Sequence, residues 1–472
     1  MLTRGAAINN SFIFAALECA TRDPGTRMTG TEMQPPPDQQ RLNDILRSHA
    51  AFTGNHPGGV RAALKFHDLS KMSLRGAMLA GIDLTGSRLC EADLSDANLT
   101  GANLFGCDLT GAVLDRANLR RADLRGTTLN GAHIHYADLS EIDLREGTLL
   151  TSHAGKLLPM RKLPSSDANR AKMFGSRLSG ARMSNATLGH VDLRDANLCG
   201  SNFSGADLSG ANLTGCNLQD VNLRGANLTG ALLEGAVLTR ANLTDANLRD
   251  ACLLGALVDD IQLERANLTG AERTQPVETL NLDLLTVFRL HEAWVDSGGS
   301  AGMRADLSGL DLRAVDLRGV NLGAAVLSHS DLRDADLSWT LLMMTDLSVA
   351  DARGANFTGA DLRGASLERA TLLEADFSRA RLSPVRIHGD FLWPANLVRA
   401  RLAGARFRRT IMTGARMDGA DMTGCDLSFA ELAGATLEES NLEGAILTGT
   451  VIDPADPANL TPWQGRTSRS GD

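Results

Sequence analysis

The chain has 472 residues, a formal net charge of −9, aromatics at only 4% and a single tyrosine. So few bulky side chains exclude the usual series of globular domains each wrapped around a thick core, and point to a thin core repeated along an axis. The charge is modest, with arginines interspersed among the acids, which excludes direct nucleic-acid binding through a basic excess; no stretch reaches the roughly 18 to 20 apolar residues of a membrane span.

In chain order, residues 1–40 end in Pro35-Pro36-Pro37, carry no periodicity and are expected to be a mostly disordered leader. Its apolar patch, Phe12 to Leu17, is hemmed by Asn9, Asn10 and Glu18, which a secretory signal would not keep. Leu42, Ile45, Leu46, His49 and Phe52 then predict a short amphipathic helix before Pro57-Gly58-Gly59. From Leu69 to Leu149 a large apolar residue holds a five-residue phase, and two positions before it stands a small one, as at Ala92, Ala97, Ala102 and Cys107. The pattern lapses over 150–172, around Pro159 and Pro164, and resumes in a new phase from Met173 to Leu268. That lapse is too short for a domain and reads as a loop extruded from one continuous rod, with a break between two rods as the alternative.

Leu280, Leu284, Leu285, Phe288, Leu290 and Trp294 predict a second helix, ended by Ser297-Gly298-Gly299. A third block runs from Leu307 to Ile452, with Phe357, Phe377, Phe407 and Met412 in the large position. His49, Phe52 and Arg61 recur as His291, Trp294 and Arg304, so the chain reads as an internal duplication. The expected segments are a helix-capped rod over 41–271, a second over 277–453, and a proline-containing tail over 454–472 that either folds back over the last coil or marks where two chains meet.

A five-residue period cannot be helical, because five steps of 100° overshoot a full turn by about 140° and the large residues would spiral around the axis. A short extended segment fits: the small and large residues share one side, their neighbours face the other, and glycine two positions after the large residue permits a corner. Ala92-Asp93-Leu94-Ser95-Asp96, Ala206-Asp207-Leu208-Ser209-Gly210 and Ala360-Asp361-Leu362-Arg363-Gly364 resemble the pentapeptide-repeat family, whose motif is A(D/N)LXX. The resemblance implies an all-β solenoid, a right-handed quadrilateral parallel β-helix with four repeats per coil, here as two rods each preceded by a capping helix. It implies a non-enzymatic protein, and the leading expectation is a rigid binding scaffold for a protein partner or for itself. Some members of the family imitate duplex DNA and bind gyrase, so the alternative is a DNA-mimicking inhibitor or protector of a type II topoisomerase. Those relatives are single dimeric rods rich in central phenylalanine, whereas leucine dominates here.

The search for chemistry finds no P-loop, no HExxH and no dinucleotide fingerprint, so neither catalysis nor a cofactor is expected. Seven scattered cysteines without a CxxC pair suggest reduced thiols and a cytoplasmic protein. His133 and His135 lie in one repeat, with Asp115 twenty residues before His135 and His153 twenty after His133; stacking would gather possible metal ligands, but plain surface is the expected reading. Asp311, Asp331 and Asp351 form a presumed outward column flanked by Arg313, Arg333 and Arg353. The partner-binding candidates lie near the end of the repeats. Arg399, Arg401, Arg406, Arg408, Arg409 and Arg416 make a basic band, followed by Asp418, Asp421, Asp426, Glu431, Glu438, Glu439 and Glu443. Such a polarity could pair two copies antiparallel as a homodimer weakened by salt.

Overall fold

The computed structural model describes residues 33–62, 64–153, 156–163, 166–280, 283–389 and 391–452, with backbone alone over 147–153 and 156–163. Each repeat has a short extended middle. Ala206 and Leu208 are buried while Asp207 between them is partly exposed, the inward and outward assignment expected from the spacing. The backbone then turns a corner at Gly210, φ +60°, in the left-handed region. Glycine is only one solution there: Asp195, Arg240 and Trp339 take φ of 58°, 58° and 61° at equivalent corners.

Parallel bridges join residues 20 apart, Asn202 to Asn222 and Asn222 to Asn242, so four five-residue sides make one coil. The hydrogen bonds alternate direction along the chain. The Leu208 amide donates to the Asn227 carbonyl at 2.7 Å, and the Asn227 amide donates to the Ala206 carbonyl at 2.9 Å, so the buried backbone is satisfied between coils. The spacing is visible in the stacked rings of Phe357, Phe377 and Phe407, 4.7 and 4.9 Å apart and nearly parallel.

Two side-chain devices account for the rest of the motif. The outward Asp or Asn accepts through Oδ1 from the amide two residues on, 3.1 Å for both Asp207–Ser209 and Asn212–Thr214, which fixes the approach to the corner. Where the small position is Ser, Thr or Cys, its hydroxyl or thiol commonly donates to the carbonyl of the large residue 23 positions earlier, as Ser201 does to Leu178 at 2.6 Å, Thr345 to Leu322 at 2.7 Å and Cys216 to Leu193 at 2.7 Å, whereas Thr127 and Ser330 donate to the large residue three positions back. Cysteine is therefore a core residue at these positions. Burial pushes the Cys107 and Cys425 thiols up to about 12, away from reactivity.

The chain divides into two compact units, Met1–Cys252 with Val258–Ala271, and Leu253–Leu257 with Glu272–Asp472. In the first, helix α1 (Gln39–Thr53) starts at Asp38, whose carboxylate accepts the Arg41 amide at 2.7 Å, and buries Leu42 and His49. In the second, α2 (Leu284–Asp296) starts at Asp283, which accepts the Thr286 amide at 2.9 Å. Leu284, Val287 and Phe288 pack against the second unit's core.

Three expectations change. Most of the leader, 1–32, lies outside the described residues, but its last part is ordered structure: Gln34 bridges His67 and α1 begins at Gln39. The lapse expected as a loop over 150–172 is an antiparallel hairpin of β1 (Gly147–His153) and β2 (Lys156–Leu163), and the repeats resume at Ser166. Ala168 occupies the first large position after the hairpin, which hid that repeat from a reading keyed on leucine. Thr128 and Asp167 pair across 39 residues instead of 20, so the hairpin adds 19 and the ladder passes it unbroken.

In the second unit, β3 (Gln275–Pro276) pairs in parallel with β4 (Leu310–Asp311). A further hairpin, β5 (Val385–His388) with β6 (Phe391–Trp393), interrupts the block expected to be continuous. Ser366 and Asn396 pair across 30 residues, so this insert adds 10, two whole repeats, and leaves the five-residue phase intact. In the last coil Leu437, Leu442 and Ile452 are only partly buried, and the tail 454–472 lies outside the described residues.

Removing one whole coil, Gly205 through Arg224, should leave a folded, shorter protein, because every remaining bridge is re-formed at the 20-residue interval. Removing ten residues should lower the melting temperature more, since downstream sides rotate halfway round. Leu228→Ala should cost about 2 to 5 kcal/mol in chemical denaturation. Asn227→Ala should cost about 1 kcal/mol, through the bonds its side chain makes to Asp207 and Thr229.

Candidate binding surface

Outward positions of a repeat are ordinarily polar, and one coil of the second unit breaks that rule. Trp339, Leu341, Met343 and Met344 occupy outward or corner positions in consecutive repeats and are exposed, Trp339 at 62%. Trp339 lies over the next coil's corner at Gly359, where a Cβ would meet its ring at 2.6 Å. Met344 similarly overlies Gly364, and there the hairpin arrives: a Cβ on Gly364 would meet Trp393 Cδ1 and Val385 Cγ2 at 3.2 Å and Met344 Cγ at 3.4 Å. Two glycines thus form the floor on which the indole of Trp339 and the root of the hairpin rest.

The hairpin adds Phe391, Leu392 and Trp393, exposed at 58%, 51% and 47%, with the Phe391 and Trp393 rings 6.5 Å apart. Ile387 of the same hairpin is also exposed. Arg363 joins the patch to the ordinary surface, donating from Nη2 to Met343 Sδ at 3.2 Å and to Asp361 Oδ2 at 2.6 Å. Two of the chain's four tryptophans therefore sit half-exposed beside Met344 and Gly364 or one repeat away from them. Nothing in the sequence reading singled them out. The available signal was apolar side chains at positions 339, 341, 343 and 344, where the motif calls for Gly, Asp or Asn, Ser or Arg, and Gly.

The expected charged sites are placed as follows. Asp115 accepts from both His135 groups, its amide at 3.0 Å and Nδ1 at 2.9 Å, so that pair does stack across one coil. His133 meets His135 edge-on, but its neighbour in the next coil is Lys172, whose Nζ lies 3.3 Å from Nε2. His153 falls in β1 and not in the following coil. A cation faces His133 where a metal site would need a third ligand, and among the described residues no group of three or more His, Cys, Asp or Glu could hold a metal ion.

The aspartate column is a zipper. Arg333 lies 2.6 Å from Asp331 and 3.5 Å from Asp351, and Arg313 lies 3.6 Å from Asp331. Asp351 is buried, and desolvation raises its carboxyl above the ordinary range despite Arg353 beside it.

Some of the terminal charges are also paired within the chain. Arg401 bridges Asp421 and Arg406 bridges Asp426 in the coil register, so the basic band lies directly on the acidic coil. Arg406 reaches Asp376 at 3.0 Å, Arg408 reaches Asp426 at 3.4 Å, and Arg409 covers the Phe429 ring at 5.9 Å. Asp418 accepts from Thr436 and the Glu438 amide, whereas Glu438, Glu439 and Glu443 face solvent. In the first unit a cleft of about 340 Å³ is lined by Arg121, Arg125 and Arg182 against Asp123, Glu141 and Asp143, charges that balance.

Eight copies of the Pentapeptide repeats model match residues 68–111, 107–145, 166–215, 216–253, 305–342, 345–383, 395–428 and 425–453, more than half of the chain. The chain belongs to the pentapeptide-repeat family. Members of the family fold as right-handed quadrilateral β-helices, the architecture that the 20-residue ladder describes here.

Among solved structures, one similar chain is HetL, a pentapeptide-repeat protein involved in heterocyst differentiation regulation from the cyanobacterium Nostoc, at 25% identity over 61% of this chain and 90% of that one, TM-score 0.19. Another is QnrB1, a plasmid-mediated fluoroquinolone resistance protein, at 16% identity over 62% and 95%, TM-score 0.23. A family member from the Arabidopsis thaliana thylakoid lumen reaches 34% identity over 25% and 76%, TM-score 0.14. Superpositions this loose carry no argument about function. No curated protein matches the chain.

Proposed function

We propose that this family member is a non-enzymatic scaffold: two β-helical rods, over about 41–271 and 277–453, each capped at its start by a helix, presenting a protein-docking surface on the second. The observation that carries this reading is the exposed group of Trp339, Leu341, Met343, Met344, Phe391 and Trp393 in a chain otherwise poor in aromatics. Isolated apolar side chains at a surface need no explanation, but a group of them with tryptophan anchors has the composition of an interface hot spot. The repeat supplies the rigidity. Trp339 and Trp393 are positioned by glycine floors on stacked coils, so little ordering remains to oppose association. The free thiols among the described cysteines accord with a reducing cytoplasm as its place of work.

The terminal band from Arg399 to Glu443 is the second candidate surface, for a partner or for another copy. It offers less, because Arg406 and Arg408 already lie against acids of neighbouring coils and exposed pairs of this kind contribute at most about 1 kcal/mol.

The test is affinity capture followed by titration with the captured protein. Trp339→Ala with Trp393→Ala should weaken association by about tenfold or more, while thermal stability changes little because both rings are half-exposed. If association survives that pair of changes but fails when Arg406, Arg408 and Arg409 become glutamate, the terminal band is the docking surface.

A further inference from the structure

Both helices are fastened to their coils by the same group in the same way. His49 is fully buried; its Nδ1 accepts the Ala62 amide at 3.2 Å and its Nε2 lies 3.1 Å from the Ala80 carbonyl. His291 is also fully buried, and its Nδ1 accepts the Ala305 amide at 3.0 Å. Its buried Nε2 has the Gly323 carbonyl acting on it but makes no well-formed hydrogen bond among the described residues. An amide can only donate, so Nδ1 must carry its lone pair in both places, and the rings are neutral with the proton on Nε2. Each ring is stacked on an aromatic of its own helix, Phe52 at 6.2 Å and Trp294 at 5.7 Å.

We propose that these two imidazoles are an acid-released latch: protonating them detaches α1 and α2 from the coils they cover. A proton on Nδ1 would face the amide hydrogen of Ala62 or Ala305, turning a hydrogen bond into opposed donors inside a dry contact. The surroundings give the cation no compensation. The charged group acting on His49 is Arg61, held on the Gly81 carbonyl; the one acting on His291 is Arg304, held on the Ala324 carbonyl; both are positive. From the helix side the neighbours are the aromatic rings, and from the coil side they are backbone carbonyls and amides, with no carboxylate acting on either ring among the described residues.

Burial foremost, then the arginine, lowers both histidines from their ordinary value of 6.5, while the backbone carbonyl opposes the shift. A lowered folded value means that the stabilisation is complete above about pH 6.5 and is lost as pH falls through the folded value. Release would bare the first coil's edge, where Gln39 now stands in for a strand: its Nε2 donates to the Ser73 carbonyl at 2.9 Å and its Oε1 accepts the Ser73 amide at 3.1 Å.

Hydrogen exchange of the full chain, corrected for the intrinsic rate at each pH, tests the latch. Peptides covering 39–53 and 284–296 should lose at least about tenfold of their protection between pH 7.5 and 4.5, while coils around Leu208 to Leu248 keep theirs. The double variant His49→Gln, His291→Gln retains an acceptor for the amide but cannot titrate, so its helices should show no such fall. Wild-type helices protected equally at both pH values, or a double variant that falls as the wild type does, would overturn the proposal. Should the variant fail to fold, imidazole nitrogen resonances of the wild type decide: the two rings must become protonated over the range in which the helices lose protection. Rings that titrate with the helices still protected, or stay neutral while the helices are lost, reject it.

Discussion

The structure rests on one backbone relation. A residue at the centre of a side gives its amide to the carbonyl 19 residues later, and the residue before it gives its amide to a carbonyl 21 residues earlier, as Leu208 and Asp207 do with Asn227 and Ala186. Everything about the motif serves that ladder. Small and large residues alternate inward because coils about 4.8 Å apart leave room for one large side chain per side. The outward carboxylate or carboxamide sets the turn, and the corner residue takes a left-handed conformation so the next side can begin. Stability is thereby distributed coil by coil, each relying on its neighbours, with no central core on which a single substitution could act globally.

That regularity made the fold legible in the sequence and hid the features that depart from it. Leucine every fifth residue identifies the coils, and the recurrence of His49, Phe52 and Arg61 as His291, Trp294 and Arg304 locates both helices from sequence alone. The structure adds that these three residues perform the same task twice: ring stacked on ring, imidazole on amide, guanidinium on carbonyl. The two hairpins behaved oppositely. Nineteen inserted residues shift the five-residue phase and announce themselves, whereas ten preserve it, so β5 and β6 were read as two more repeats despite Pro384 and Pro394 at their borders.

The candidate site was less legible for a related reason. Charge runs such as the terminal Arg and Asp/Glu bands are conspicuous in a sequence; coil stacking places one beside the other and pairs Arg406 and Arg408 with acids of neighbouring coils. Trp339 and Met344 stand at corners that accept many residue types, so neither is improbable alone. Only the hairpin's return over Gly364 brings Trp393 to Met344, and that proximity depends on an insertion whose direction no periodicity encodes.

The inserts also bear on how such a molecule yields to force. Bonds between coils run along the axis, so tension applied at the two ends of a unit loads them one layer at a time, like rungs pulled from a ladder. Each 20-residue coil that peels away should release about 70 Å of extended chain. The layers carrying the hairpins hold 39 and 30 residues between paired positions and release correspondingly more. A trace of force against extension would therefore read as a ruler of equal steps with one long interval in each unit, a mechanical signature of where the chain has been lengthened without disturbing the coil.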